Sequence, residues 1–498
     1  MDSVNLNDYQ SGFLGGEAEG AAELLKAMQA GQITGRDTTG QSLSQEPLKA
    51  ESLEKTLKLL EFRQKDIKLL NLMPKLTAYN TVEEFLQLES YGADRGGFYN
   101  EGELSDVEDS KYVRRSEFTK YIQITGEVTM QAQMVRSYVD AMRQEVENKV
   151  MWVTRKANSA MTKGDSNIIP QEWNGIYKQH ASVGVGTGFI YSTLEDYHNS
   201  GTVIDLRGKS LTQFDVEAGA VQVDAGYGSV SDLFAPTSVI STLSQNFYES
   251  QRIMLNANNT SSYSGVIGTV AKAISTSIGD VALQADKFMK HDFNEGRFLT
   301  DAPTSAKAPN APVTGGAPVV VADASAKFEV GEGGTVYYAV GAINRYGESA
   351  LTLIDAAATT VVVGSSVDLT FTSGGGATPA TGYQIFRSEV TASGTATGVR
   401  FFPLFKVSSA ELASGFDGAA AGAIRDRGRY LPNTEQAFIT EMTDDVLSFK
   451  QLAPISKLDL GVLSMSRRFI TFMFATPQIY SPKKIVRFIN CGKKLTTV

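Results

Sequence analysis

Residues 137 to 180 constrain the fold more than any other stretch, because a helix, its stop and a tight turn follow one another there. Val139, Met142, Val146, Val150, Val153, Ala157 and Ala160 recur at three- and four-residue steps and so share one face of an amphipathic helix. Ser137 is placed to cap the amino end. Lys163-Gly164 supplies a cation near the dipole terminus and a residue that tolerates left-handed φ. Asn167-Ile168-Ile169-Pro170-Gln171-Glu172-Trp173-Asn174-Gly175-Ile176 comes next, and Pro170 and Gly175 keep the helix from running on.

A chain of 498 residues is too long for one ordinary core, so two to three domains are expected. Hydrophobic residues at 42% and charged residues at 20% mark a folded protein, and a net charge of -9 excludes a globally basic nucleic-acid binder. One cysteine, Cys491, allows no intramolecular disulfide, and no charged-then-apolar leader opens the chain, so a reducing cytoplasmic compartment is expected. No apolar run approaches a membrane span.

Residues 1 to 45 read as an extended arm, with one short helix around Leu24, Leu25 and Met28. Leu53, Leu57, Leu60, Ile67 and Leu70 are spaced for one or two helices that end at Pro74, and Ala78 to Phe85 reads as extended. After a Gly-rich acidic stretch, Phe118 to Thr125 and Val128 to Met134 alternate like strands, with Gly126-Glu127 to turn the chain between them. Such a hairpin is marginal alone in water and must lean on its own core or a neighbouring subunit. Residues 181 to 300 mix turns with short strands and helices as an α+β domain, including a strand and turn at Ile278 to Leu283. Ala302 to Ala317 reads as a Pro-, Ala- and Gly-rich linker. The strand-like runs after it, Thr335 to Ala342, Val361 to Thr372, Gly382 to Arg387 and Phe401 to Val407, predict a small sandwich. The earlier style resumes after Arg425-Asp426-Arg427-Gly428, so the sandwich reads as an insertion into a discontinuous domain.

Chemistry finds little support. His180, His198 and His291 lie far apart, with no spacing for zinc. Cys491 has no positioned base, and Gly208-Lys209-Ser210 lacks the glycine that begins a phosphate loop, since Val203 stands there. Gly184-Val185-Gly186-Thr187-Gly188 reads as a surface loop. Glu101, Glu103, Asp106, Glu108 and Asp109 lack the ligand pattern of a calcium loop and read as solvated. Lys111, Arg114, Arg115 and Lys120 adjoin them with opposite sign. The two blocks suit contacts between copies of the chain, or are two independently solvated faces. Lys483, Lys484, Arg487, Lys493 and Lys494 could meet phosphate but, interleaved with Ile485, Val486 and Phe488, read first as a strand with one wet face.

The order of parts resembles the major capsid protein of tailed bacteriophages, with its Hong Kong 97-like fold. The residues that carry the resemblance are Glu51-Ser52-Leu53 with Pro74 to Phe85, Lys163-Gly164-Asp165, Gln171-Glu172-Trp173-Asn174-Gly175-Ile176, Leu452-Ala453-Pro454 and Ser466-Arg467-Arg468-Phe469. Separately, Tyr337-Tyr338-Ala339-Val340-Gly341-Ala342-Ile343-Asn344-Arg345-Tyr346-Gly347-Glu348-Ser349 and Gly382-Tyr383-Gln384-Ile385-Phe386-Arg387-Ser388 resemble fibronectin type III or immunoglobulin-like modules, in the reverse of the usual strand order.

The resemblance implies an α+β shell subunit: arm and helices over 1–90, an extended hairpin loop over 91–134, and the spine helix of a peripheral domain over 135–165. An axial domain would follow over 166–301, an inserted immunoglobulin-like β-sandwich over 302–432, and a return to the peripheral and axial core over 433–498. Hexamers and pentamers would form an icosahedral shell around the phage genome, in a virion assembled in the bacterial cytoplasm. The partners would be further copies of the chain, decoration, portal and scaffolding proteins, and packaged DNA through non-specific contact, with no membrane, cofactor, metal or enzymatic activity. No amino-terminal cleavage is expected unless the particle is immature, and Lys111 and Lys120 are cross-link candidates by position only. The inserted module is expected to project outward, and the chain without 302–432 to assemble still. A surface adhesion protein whose sandwich recognises a host or decoration ligand is the alternative; a hydrolase with an accessory β module lacks a nameable catalytic residue. Val146→Asp or Val150→Asp is expected to abolish soluble assembly by burying an unpaired charge. Particle yield checks it, and normal yield would show that face to be exposed.

Overall fold

The long helix of the computed structural model spans Ala141–Lys163. Asp140 is its cap, and its carboxylate accepts from the backbone N–H of Met142 at 2.9 Å and of Arg143 at 3.4 Å. The structure describes residues 64–92, 97–104, 107–134, 140–180, 203–250, 272–289, 296–376, 378–390, 396, 398–461 and 465–493. The arm at 1–45, Leu53, Leu57, Leu60, Asp106, Ser137, Val139, Gly184 to Gly188, His198, His291 and Lys494 lie outside the described residues. Along the helix the apolar stripe is unevenly covered: Val153, Ala157, Ala160 and Met161 are buried, whereas Met142, Val146 and Val150 are half-buried.

A four-stranded sheet lies under the helix, in the order Lys75–Thr77, Leu447–Asp459, Ser466–Ile479, Lys120–Thr129. Its last strand corrects the predicted hairpin. Lys120–Thr129 runs unbroken through Gly126-Glu127, paired along its length with Ser466–Ile479. Gly126 does not turn the chain. It seats the ring of Phe469 directly opposite, and a Cβ at Gly126 would lie 2.3 Å from Phe469 Cζ. The hairpin forms instead from Val82–Ser90 and Lys111–Phe118, and Met130–Met134 is helical.

A six-stranded sheet forms the second body, in the order Val203–Asp205, Ile485–Cys491, Glu435–Thr440, Asp232–Ala235, Asp280–Ala285, Ala273–Ser275. Helices Gln213–Ala225 and Thr237–Ser250 share its core, so Ala220 to Val223 is helical. Ile485–Cys491 pairs on both edges and is buried on both faces, which overturns the wet-faced reading of this strand. The carboxyl-terminal segment therefore serves both sheets: 447–479 in the first, 435–440 and 485–491 in the second.

Between Asp280–Ala285 and Glu435–Thr440, two strands of one sheet, the chain builds β structure that pairs chiefly within itself. One sheet orders Gly347–Glu348, Tyr338–Asn344, Gly382–Ser388, Phe401–Ser408, and another Val319–Ala322, Ser365–Thr372, Ala423–Asp426. Tyr338, Val340, Leu369, Ile385 and Ile424 meet in one core. The expected linker is not free: Thr352 donates to the carbonyl of Pro312 at 2.8 Å, Asn344 to that of Lys307 at 3.1 Å, and Thr378 to that of Ala308 at 3.1 Å. Nor does this region stand clear of the rest. Gly382 sits against Ile168, where a Cβ would come within 2.7 Å. Arg207 reaches the carboxylate of Glu332 and, at 2.8 Å, the carbonyl of Gly428. Residues Glu61–Val498 form a single compact unit. Removing 302–432 would uncover Ile168 and leave Arg207 with Asp205, at 3.5 Å, in place of Glu332 and Gly428.

Gly126→Ala forces the Phe469 ring out of its seat, an overpacking change that costs about 1–3 kcal/mol. The urea midpoint of the unassembled subunit is expected to fall accordingly, and an unchanged midpoint would show that the ring moves freely.

Candidate functional site

The surface with the most unmet demand is the hairpin. Its inward side is held: Phe85 meets Tyr480 edge to face at 4.9 Å, and Gln478 donates to the carbonyl of Glu83 at 3.3 Å. Its outward side carries Leu86, Leu88, Tyr112 and Phe118, all exposed, with Leu86 at 72% and Tyr112 at 66%. Leu88 stands opposite Tyr112 and Val82 opposite Phe118 on one side of a two-stranded ribbon, two apolar patches with Leu86 and the Glu84–Arg114 pair between them. Phe98, Leu104 and Val107 near the tip are almost fully exposed.

The charged blocks fall in two places. Glu101, Glu103, Glu108 and Asp109 are exposed at the tip, where Glu103 accepts from the Asn100 backbone N–H at 3.0 Å. Of the basic residues, Arg114 pairs across the ribbon with Glu84, Arg115 donates to Gln87 at 3.3 Å, and Lys120 donates to the Pro170 carbonyl at 2.7 Å. These three are thus engaged within the subunit, which weakens the idea of block meeting block between copies. Lys111 is exposed near the tip.

A second apolar surface lies on the four-stranded sheet. Tyr121 stands opposite Phe474, and Ile470 lies between Thr125 and Leu458. Tyr121 and Phe474 meet edge to face at 4.7 Å, while Tyr121 and Leu458 are exposed.

The turn after the long helix ties hairpin and sheets together. Gly164 has φ −59°, not the left-handed value expected; it is glycine because a Cβ would lie 2.5 Å from the Trp173 carbonyl. The Gly175 N–H donates to the Gly164 carbonyl at 2.8 Å, closing the loop. Inside it Asp165 and Lys178 form a buried ion pair. Asn174 donates to Glu117 of the hairpin at 3.2 Å, and Gln179 donates to the carbonyls of Asn174 at 2.7 Å and Pro477 at 2.9 Å. Burial pushes the Glu117 carboxyl up to about 7, against the Asn174 hydrogen bond and the charges of Lys178 and Lys120.

Nothing catalytic gathers here. His180 is buried, its Nε2–H donates to the Ile485 carbonyl at 2.8 Å, and burial with nearby Arg487 pulls it down to about 4. Cys491 is buried and its thiol is pushed up by desolvation. Among the described residues no group of three or more His, Cys, Asp or Glu could hold a metal ion. The sequence reading missed the outward face of Leu86, Leu88, Tyr112 and Phe118 because it placed the hairpin one strand too late; neither 84–88 nor 112–118 alternates cleanly, and the two-residue step from Leu86 to Leu88 was the one local signal.

A family model described as SU10 major capsid protein matches residues 32–306. The putative major capsid protein of Enterococcus phage phiEF24C is 22% identical over 479 residues, covering 91% of this chain and 93% of its own. The major capsid protein of Staphylococcus phage K is 21% identical over 491 residues, covering 98% of each. Among solved structures, the capsid of cyanophage P-SCSP1u aligns with TM-score 0.45 at 9% identity, over 93% of this chain and 97% of its own. The capsid of the native GTA particle aligns with TM-score 0.45 at 8% identity, over 91% and 99%.

Replacing Lys178 alone by Met leaves Asp165 buried without its cation and is expected to cost about 3–5 kcal/mol. Lys178→Met combined with Asp165→Asn should recover part of that loss. Urea midpoints of the single and double variants check it, and equal midpoints for wild type and Lys178→Met would show the pair to be idle.

Proposed function

The chain belongs to the SU10 major capsid protein family, and from that premise we propose how this subunit joins its neighbours. It is a structural protein of the bacteriophage virion shell, not an enzyme, and it associates with copies of itself. The adhesion and hydrolase readings give way to this one.

In the reading put forward here, the apolar face of the hairpin, Leu86, Leu88, Tyr112 and Phe118, docks on the apolar face of the four-stranded sheet, Tyr121, Ile470, Phe474 and Leu458, of the next copy. The uncovered hairpin face carries the proposal: large side chains remain in water on a ribbon too small to need them for its own fold. The two faces differ, so the contact is heterologous and closes into rings where its rotation divides a full turn, which fits hexamers and pentamers in an icosahedral shell. The fold is read as Hong Kong 97-like, with the hairpin strands at 82–118 as the extended loop, 141–163 as the spine, the six-stranded sheet as the axial domain and 302–432 as an immunoglobulin-like sandwich. Its two sheets around one core, with Tyr338–Asn344 directly beside Gly382–Ser388, support that last assignment. Decoration, portal and scaffolding proteins and non-specific contact with packaged DNA are the further partners proposed, with assembly in the host cytoplasm.

The double variant Leu86→Asp with Tyr112→Asp is expected to fold as wild type does, by circular dichroism and urea midpoint, yet to give no shells in electron micrographs. Shells at wild-type yield would sink the proposed contact.

A further inference from the structure

Glu83 and Glu117 stand directly opposite each other across the hairpin, on its inward side. Opposed residues of an antiparallel pair bring their Cβ atoms to about 5 Å, and like charges there repel. The two carboxyls are unequally provided for. Glu83 accepts from the backbone N–H of Tyr79 at 2.8 Å and of Asn80 at 2.9 Å, with Lys450 at 3.8 Å. Glu117 accepts from Asn174 Nδ2 at 3.2 Å. The nearby cations are otherwise engaged: Lys178 is paired with Asp165, and Lys120 donates to the Pro170 carbonyl. Glu411, from the region beyond residue 302, is a further carboxyl within electrostatic reach of Lys178 and is itself raised, chiefly by burial.

We propose that Glu117 is a protonation-gated latch between the root of the hairpin and the Trp173-Asn174-Gly175 turn. Protonated, its carboxyl sits beside Glu83 without repulsion; ionised, it favours a hairpin root lifted toward water. The sign follows from the burial that raises this carboxyl from 4.5 to about 7 when the root is seated. A group whose seated value is raised favours the seated state at low pH, and that preference is lost as pH rises through about 7. Between about pH 6 and about pH 8.5 the seated-to-lifted ratio should fall about tenfold. The latch depends on the hairpin root and the turn it meets within one subunit, and would hold whatever surface the hairpin docks on.

The test is hydrogen exchange with mass spectrometry on unassembled full-length subunits over that pH range, corrected with an unstructured reference peptide. Protection of the amides of Val82–Ser90 and Lys111–Phe118 should fall as pH rises. Glu117→Gln, isosteric and neutral throughout, should make their protection independent of pH, whereas His180, buried and already neutral, contributes nothing in this window. Asn174→Ala removes the hydrogen bond that favours the carboxylate, so it should move the midpoint of the wild-type profile to higher pH. A flat wild-type profile, a Glu117→Gln profile with the wild-type slope, or an Asn174→Ala midpoint that stays or falls would each overturn the latch.

Discussion

The backbone contact between Gly164 and Gly175 is the constraint on which the rest of this subunit turns. Any side chain at Gly175 would meet the backbone of Thr162 and Gly164 at 2.8 Å, and any at Gly164 would meet the Ala160 and Trp173 carbonyls. Because the two strands of chain touch, the loop closes tightly enough to hold Asp165 against Lys178 away from water, where an ion pair survives only with good geometry. The closed loop then hands out fixed directions. Trp173 goes into the core against Phe449 at 5.6 Å, Gln179 to the strand Ser466–Ile479, Tyr177 to Arg487 of the six-stranded sheet, and Asn174 to the hairpin. Helix, both sheets and hairpin thus take their relative positions from one turn.

A second polar joint repeats this logic in the core. Asp286 accepts from Asn158 of the long helix at 2.8 Å and from the Leu69 N–H at 3.0 Å, and Asn158 accepts from the Leu70 N–H at 2.9 Å. Buried polar groups satisfied from three segments specify one arrangement, since any shift leaves several unpaired at once. The region beyond residue 302 has its own version, in which Arg387 and the Tyr338 hydroxyl share the Asp426 carboxylate at 2.7 and 2.9 Å. Desolvation and the neighbouring carboxylate push that phenol well above its ordinary value, so it stays a hydrogen-bond donor.

How far the sequence could be read follows from which interactions are local. The long helix was legible because its apolar period and carboxyl-terminal stop are short-range. Its cap was misplaced by three residues, at Ser137 and not Asp140, since both residue types cap well. The strands of the all-β region were legible for the same reason. The hairpin was not. Gly126 looks like a turn residue until Phe469, over three hundred positions away, is known to lie on it, and no local pattern carries that fact. The wet-faced reading of Ile485–Cys491 failed likewise: Arg487 is a surface residue by type, yet it is consumed by the Gln436 side chain and the Tyr177 carbonyl and ring.

The candidate site shows the opposite failure, in which the residue types were read correctly and their commitments were not. Arg114 and Lys120 are charged and near the surface, as expected, but each has a partner within its own chain. A surface cation already paired adds little to an encounter with a neighbour, because the first pairing must be lost or shared. Apolar residues on the same ribbon have no such alternative, and water is their only competitor. In the docking proposed above, Leu86 and Leu88, the latter opposite Tyr112, carry the stronger drive toward association, while the Glu84–Arg114 pair lies beside them on the same face. On that proposal, specificity and affinity are separated on this ribbon, one in its charges and the other in its leucines and tyrosine.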